Sequence, residues 1–311
     1  MVDSNRASTK IQLSFHRVLV EKVLGYIRLM RLANVLTAVA DVLAGIAISG
    51  YFMEYKSFLP VILLCISTIG LYSGGIVFND VFDAGLDAIE RPERPIPSGL
   101  ISKNEAIVFG MFFFALGLIA AAMYQQVSFI TAIFIVIACL SYNRIAKHYT
   151  VWGPINMGIC RGLNLLLGVS ILGTALVQWW YLALIPIVYI ASITIISRGE
   201  VHGGNKKMLA IAALLYLVVV LSIVVVSWCM QHISLTMLFL IPFIFMIFSP
   251  LLKALKMPSP ANIGKAVRAG VIALILLNAA WASAFGVWQL SLFIILLLPL
   301  SMWLSKTIAV T

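Results

Sequence analysis

The chain has 311 residues, of which 62% are hydrophobic and 10% are charged, with a formal net charge of +10 and a mean hydropathy of +1.08. Soluble domains carry roughly a quarter charged residues, so a globular cytosolic enzyme, a disordered chain and a disulfide scaffold are excluded. A bilayer span takes about 20 apolar residues, which leaves room for roughly ten.

Residues 1–10 are polar and contain no apolar signal-peptide core. Over 11–31, helical spacing puts Arg17, Glu21, Arg28 and Arg31 on one face with Lys10, and Phe15, Leu19, Val23, Tyr26 and Met30 on the other. This predicts an amphipathic helix lying in the membrane interface. Apolar segments follow at about 33–52, 58–78, 105–123, 127–143, 154–174, 179–197, 208–229, 234–251, 267–287 and 289–305. They predict helices, because backbone groups in lipid must be satisfied within the segment. The last pair is divided only at Gly286–Gln289, which allows two spans or one span and a re-entrant piece. The expected fold is all-α: a polytopic membrane bundle of nine to ten transmembrane helices over 33–311. A cytoplasmic polar segment with the interfacial helix precedes it over 1–32.

Numbered in order, these spans place 19 of the 21 basic residues on one side; Lys56 lies opposite and Arg161 within a span. The basic balance therefore reads as loop asymmetry, not as a nucleic-acid surface. It puts both termini and the loops at 79–104 and 198–207 in the cytoplasm, in a multi-pass protein of the cell (inner) membrane. Cys65, Cys139, Cys160 and Cys229 lie singly in apolar segments and read as small core residues. Gly70/Gly74 and Gly158/Gly162 have the spacing that lets membrane helices approach closely.

Of 11 acidic residues, five fall at Asp80, Asp83, Asp87, Glu90 and Glu93. At about 100° per residue, Asn79, Asp80, Asp83 and Asp87 share one helical face. Like charges one turn apart repel, so the stripe makes sense with a cation among it. Oxygen donors without nearby Cys or His favour Mg2+ over zinc. The bland alternative is a solvated helix end balanced by Arg91 and Arg94. The helix should stop near Arg91, ahead of Pro92, Pro95 and Pro97.

Asn79-Asp80-Val81-Phe82-Asp83-Ala84-Gly85-Leu86-Asp87 followed by Arg91-Pro92-Glu93-Arg94-Pro95-Ile96-Pro97-Ser98-Gly99 resembles the first aspartate-rich motif and proline-rich loop of the UbiA superfamily of intramembrane prenyltransferases. The resemblance implies an all-helical fold and transfer of a prenyl group from a prenyl diphosphate to an aromatic or other lipophilic acceptor in the bilayer, with Mg2+ as cofactor. It implies Asp80 and Asp83 as first metal ligands, with Asn79 and Asp87 completing the shell. Tyr142 and Lys147 look like the family's Tyr/Lys loop. Arg144, Lys147 and Arg198 could bind diphosphate oxygens; Asn34, Asp41, Arg161 and Asn164 sit where relatives line the cavity. The family's second acidic motif is altered here to Ser197-Arg198-Gly199-Glu200-Val201-His202-Gly203-Gly204, which resembles the EboC branch. Glu200 and His202 are its remaining ligand candidates. A turn at Gly203-Gly204 could hold diphosphate oxygens through backbone amides. Phe78, Phe82, Phe112, Phe113, Phe114 and Tyr142 are candidates for an apolar tunnel, or for plain core.

A second class stays open, a non-catalytic or transport-associated protein that binds an isoprenoid or diphosphate for partner proteins of the same pathway. A CDP-alcohol phosphatidyltransferase expects an adjacent Asp-Gly, which Asp83-Ala84-Gly85 does not supply. A secondary transporter wants ionisable groups near midplane, whereas the clustered acids here lie at the membrane face.

Overall fold

The computed structural model describes residues 19–200 and 203–307, and among these there is no strand. A helix over 19–30 (α1) ends at Arg31, whose backbone is left-handed at φ 47°. The chain then enters α2 (Leu32–Ile48) and a single turn, α3 (Tyr51–Glu54). The remaining helices are α4 (Leu59–Glu90), α5 (Lys103–Tyr124), α6 (Gln126–Arg144), α7 (Trp152–Val169), α8 (Gly173–Trp179), α9 (Leu184–Ser197), α10 (Lys206–Cys229), α11 (Ile233–Lys256), α12 (Pro260–Ala284) and α13 (Trp288–Thr307). Gly286, at φ 81°, divides α12 from α13 into two helices.

Nine candidate spans are long and apolar enough to cross a membrane, α1 and α2 counting as one and α8 with α9 as another. Apart from the single turn α3, the described helix outside that set is α7. It holds Asn156, Arg161 and Asn164, and it packs against α2, α6 and α9 like the others. Its low hydropathy comes from polar side chains turned inward: Arg161 and Asn164 are both buried. The expected nine to ten helices are thus present.

Neighbours in sequence pack as antiparallel pairs, and α12 and α13 return to α2. Twelve of the 17 residues of α2 are buried, so this helix is the axis of the bundle. Its tightest contact is with α7: a Cβ on Gly168 would lie 2.1 Å from the Val42 carbonyl oxygen, and one on Gly45 would lie 2.2 Å from that of Leu165. The expected pairs also serve packing, Gly70 and Gly74 against α5 and Gly158 and Gly162 against α9 and the turn before it. Phe245, Leu238, Ile241, Val225 and Trp228 are exposed on the outer faces of α10 and α11, as expected where lipid is the solvent. Cys139 and Cys160 meet at 3.9 Å between their sulfurs, while Cys229 is exposed rather than in the core.

The 32 residues of α4 make a rod of about 48 Å at 1.5 Å per residue, longer than the roughly 30 Å hydrocarbon core. Its last turns, carrying Asn79 to Glu90, therefore stand at or beyond the membrane face. As expected, α4 stops at Arg91, ahead of the prolines. The next helix starts on a capping box: Ser102 Oγ accepts from the Glu105 amide, and Glu105 Oε2 accepts from the Ser102 amide at 2.9 Å. Four connections meet at this end. Lys147 pairs with Asp83, Arg198 donates to the Thr150 carbonyl, and the Gly204 amide donates to the Pro258 carbonyl at 3.2 Å. The two loops singled out by sequence therefore lie at one end of the bundle.

Candidate functional site

Helical periodicity brings Asp80, Asp83 and Asp87 to one face of α4, and each meets a cation from elsewhere in the chain. Arg31, at the break between α1 and α2, donates to Asp80 Oδ1 at 2.5 Å. Arg94, in the proline-rich turn, reaches Asp87 Oδ2 at 2.6 Å and Asp80 Oδ1 at 3.4 Å from one nitrogen. Lys147, in the short turn after α6, pairs with Asp83. Asn79 Nδ2 donates to Asn143 Oδ1 at 3.1 Å, and Asn143 in turn donates to the Gly75 carbonyl at 2.9 Å. The acids are not a solvated stripe: Asp80 and Asp87 are buried.

Among the described residues no three carboxylate, His or Cys side chains form a ready metal cage. The donor chemistry nonetheless suits a hard cation. Asp80 and Asp87 already hold one positively charged nitrogen between them, and all the donors are oxygens. The structure pairs Asp80 with Asp87 around this shared cation, where sequence reasoning put Asp80 with Asp83. Asp83 is turned to Lys147.

A second polar cluster lies deeper. Asp41 Oδ2 accepts from Arg161 Nη1 at 2.5 Å and from Asn164 at 3.1 Å, and its Oδ1 accepts from Asn278 at 2.7 Å. Arg161 also donates to Thr37 Oγ1 at 2.5 Å and lies over the Tyr72 ring, 5.0 Å from its centre. Asn164 Oδ1 accepts from Thr68 at 2.7 Å. Asp41, Arg161 and Asn164, which the resemblance placed along a cavity, come together as a buried, mutually satisfied network joining α2, α4, α7 and α12. Asn34 is half-buried on α2, one turn from Arg31.

Tyr142 is half-buried beside Asn143, whereas Arg144 is exposed. Phe78 stacks on Phe114 at 5.3 Å between ring centres and touches Phe82 at 6.4 Å; Phe82 and Phe112 are exposed and Phe113 is buried. Val201 and His202 lie outside the described residues. At the altered second motif, Arg198 and Glu200 are exposed, and the expected amide cradle at Gly203-Gly204 is not free. The Gly203 amide donates to the Gly199 carbonyl at 3.0 Å and the Gly204 amide to Pro258, because the loop is tied back on itself and onto the approach to α12. Partial burial there pushes the Glu200 carboxyl above the ordinary glutamate range, against the pull of Arg268 and Arg91.

Arg31, Asn143 and Asn278 are site neighbours that sequence reasoning did not single out, and Arg94 entered it only as a counter-charge to a solvated helix end. Asn278 did carry a signal, as a lone amide in an apolar helix. Arg31 carried none, because its role depends on a break between two helices.

The UbiA prenyltransferase family model matches residues 42–262. The chain belongs to this family. It is 30% identical over 182 residues to a digeranylgeranylglyceryl phosphate synthase of Saccharolobus solfataricus, covering 57% of this chain. The match spans about three-fifths of that relative's length, 61%. The fold is similar to that of a UbiA homologue from Aeropyrum pernix, with a TM-score of 0.64 at 15% identity over 79% of this chain and 96% of the other. It is also similar to a UbiA homologue from Archaeoglobus fulgidus bound to GPP and Mg2+, with a TM-score of 0.59 at 18% identity over 79% of this chain and 99% of that one.

Proposed function

We propose that the protein is an integral-membrane prenyltransferase that moves a prenyl group from its diphosphate to a lipophilic acceptor, with Mg2+ as its metal. The observation that carries this reading is the meeting of three carboxylates with Lys147, Arg31 and Arg94 at one end of an apolar UbiA-family bundle. The digeranylgeranylglyceryl phosphate synthases among its relatives move the acceptor away from an aromatic ring and towards a glycerophosphate lipid with a free hydroxyl. The motif loops face the cytoplasm in this reading, following the 19 basic residues on their side.

In the reaction the allylic C–O bond breaks and the diphosphate leaves with the electron pair. The acceptor oxygen forms the new C–O bond and releases its proton. Mg2+, held by Asp80 and Asp87 with Asp83 and Asn79 alongside, would neutralise charge developing on the leaving diphosphate. The chain's own cations do the same from fixed positions. Lys147 offers a point charge, and Arg94 and Arg31 offer planar forks suited to phosphate oxygens. Pre-placed charge of this kind favours the transition state, because no reorganisation is needed when the bond breaks. Tyr142, next to the Asn143 that accepts from Asn79, supplies aromatic surface on the acids' side of α4, and such surface tolerates an allylic cation; the Phe78–Phe114 stack lies on the opposite face, against α5.

A binding protein without transfer activity is the second reading, favoured by the single carboxylate at the second motif. Purified protein in lipid nanodiscs, with Mg2+, a panel of prenyl diphosphates and glycerophosphate or aromatic acceptors, separates the two. Release of pyrophosphate with a prenylated glycerophosphate lipid is expected. Binding without release would support the second reading, and neither binding nor release would defeat both.

A further inference from the structure

Two sulfurs that the proposed transfer does not use meet at the seam between α6 and α7. Cys139 Sγ lies 3.9 Å from Cys160 Sγ, and Cys160 Sγ lies 3.8 Å from Asn156 Oδ1. Asn156 in turn donates to Ser141 Oγ at 3.2 Å. On the α4 side, a Cβ on Gly75 would sit 3.1 Å from Cys139 Sγ, so the bare glycine leaves the slot that this thiol fills. Cys65 and Cys229 stand apart, and among the described residues neither meets another sulfur.

The pair joins the two polar clusters. One turn beyond Cys139 on α6, Asn143 holds both Asn79 and the Gly75 carbonyl. Next to Cys160 on α7, Arg161 holds Asp41. Cysteines packed for volume alone tend to be fully buried. Here both are half-buried, and so are Gly75 and Asn156 against them, so a small reagent can reach the sulfurs. A disulfide needs the sulfurs at about 2 Å, a closure of roughly 2 Å that rotation about the two Cα–Cβ bonds can supply.

We infer that Cys139 and Cys160 form a dithiol site that a hydroperoxide converts reversibly to a disulfide, loosening the adjoining aspartate site. One sulfur attacks the peroxide oxygen, the O–O bond breaks, and an alcohol leaves with the thiol proton. The sulfenic acid so formed is attacked by the second sulfur; the S–S bond forms and water leaves with the second proton. Two thiols are thereby oxidised by two electrons, and the hydroperoxide is reduced to alcohol and water. A small dithiol reverses the bond by exchange. Closing the bond draws Cys139 away from Gly75 towards α7, and with it Asn143 away from Asn79. The effect on the aspartates rests on the pyrophosphate-binding reading above, whereas formation of the disulfide does not.

The test uses the full chain in lipid nanodiscs, reduced and then exposed to tert-butyl hydroperoxide. Non-reducing peptide mapping should recover a peptide joining Cys139 to Cys160, short of two hydrogens, that dithiothreitol separates. Cys65→Ser should leave the cross-link in place. Cys139→Ser and Cys160→Ser should each abolish it and leave the remaining cysteine as a sulfenic acid that dimedone traps. Calorimetry with Mg2+ and inorganic pyrophosphate should show affinity about fivefold or more weaker in oxidised wild type, restored by dithiothreitol. Cys139→Ser should bind like reduced wild type whether or not peroxide is added. No cross-link in folded wild type would overturn the inference, as would a cross-link that leaves pyrophosphate affinity unchanged. Reduced wild type that binds no pyrophosphate would defeat the functional reading and the control of it together, and the peptide map would still decide whether the disulfide forms.

Discussion

Replacing Arg161 with Leu tests the buried network directly. Among the described residues the guanidinium supplies the one positive charge touching Asp41, and it makes two hydrogen bonds, to Asp41 and Thr37. Hydrogen bonds between membrane helices average only about 0.6 kcal/mol each, so their loss alone would cost little more than about 1 kcal/mol. The stranded charge dominates. Asp41 would keep Asn278 at 2.7 Å and Asn164 at 3.1 Å but no cation, and breaking one side of a buried pair costs about 3–5 kcal/mol. Asp41→Asn should cost a similar amount by stranding Arg161. The double variant should cost about 2 kcal/mol or more less than the sum, because no uncompensated charge remains. Reversible unfolding in mixed detergent micelles, followed by tryptophan fluorescence, reads all three; Trp281 is fully buried and reports the core. Single-variant losses near 1 kcal/mol, or an additive cycle, would refute the argument and reduce the pair to ordinary hydrogen bonding.

Asp80→Ala and Asp87→Ala should each lower metal-dependent pyrophosphate affinity at least about a hundredfold while the protein elutes as a folded monodisperse species; wild-type affinity in calorimetry would count against the metal assignment. Gly168→Ala should destabilise the bundle by about 3 kcal/mol, the upper end of over-packing costs, because its methyl would meet backbone oxygen rather than a movable side chain; the same unfolding assay decides it. Ser102→Ala should cost about 1 kcal/mol through loss of the cap that starts α5. Reporter fusions at Asn104 and Lys207 should both give a cytoplasmic signal, and a periplasmic signal at either would reverse the orientation.

Much of the bundle was legible because hydropathy and charge are properties of single segments. The span boundaries, the stop at Arg91 and the aspartate stripe all follow from local spacing. α7 was legible as a segment, although its polar residues weaken the apolar signal, because those residues are satisfied by α2 and α4 rather than by anything within α7. The pairing of Asp83 with Lys147 joins residues 64 positions apart, and that of Asp41 with Asn278 joins residues 237 apart. Such partners are set by how helices pack, which periodicity does not encode. The Gly203-Gly204 turn misled for a related reason: two glycines suggest free amides, and only the fold reveals that Gly199 and Pro258 already take them.

The left-handed backbone at Arg31 has a consequence for how this residue is to be found by experiment. A non-glycine residue in that region carries a penalty of about 1 kcal/mol or more, and here the same residue grips Asp80. Arg31→Gly would relax the backbone while releasing the carboxylate, two effects of opposite sign on folding. A screen that scores variants by thermal survival would therefore pass over Arg31 as neutral, and only a screen for ligand retention would register its absence.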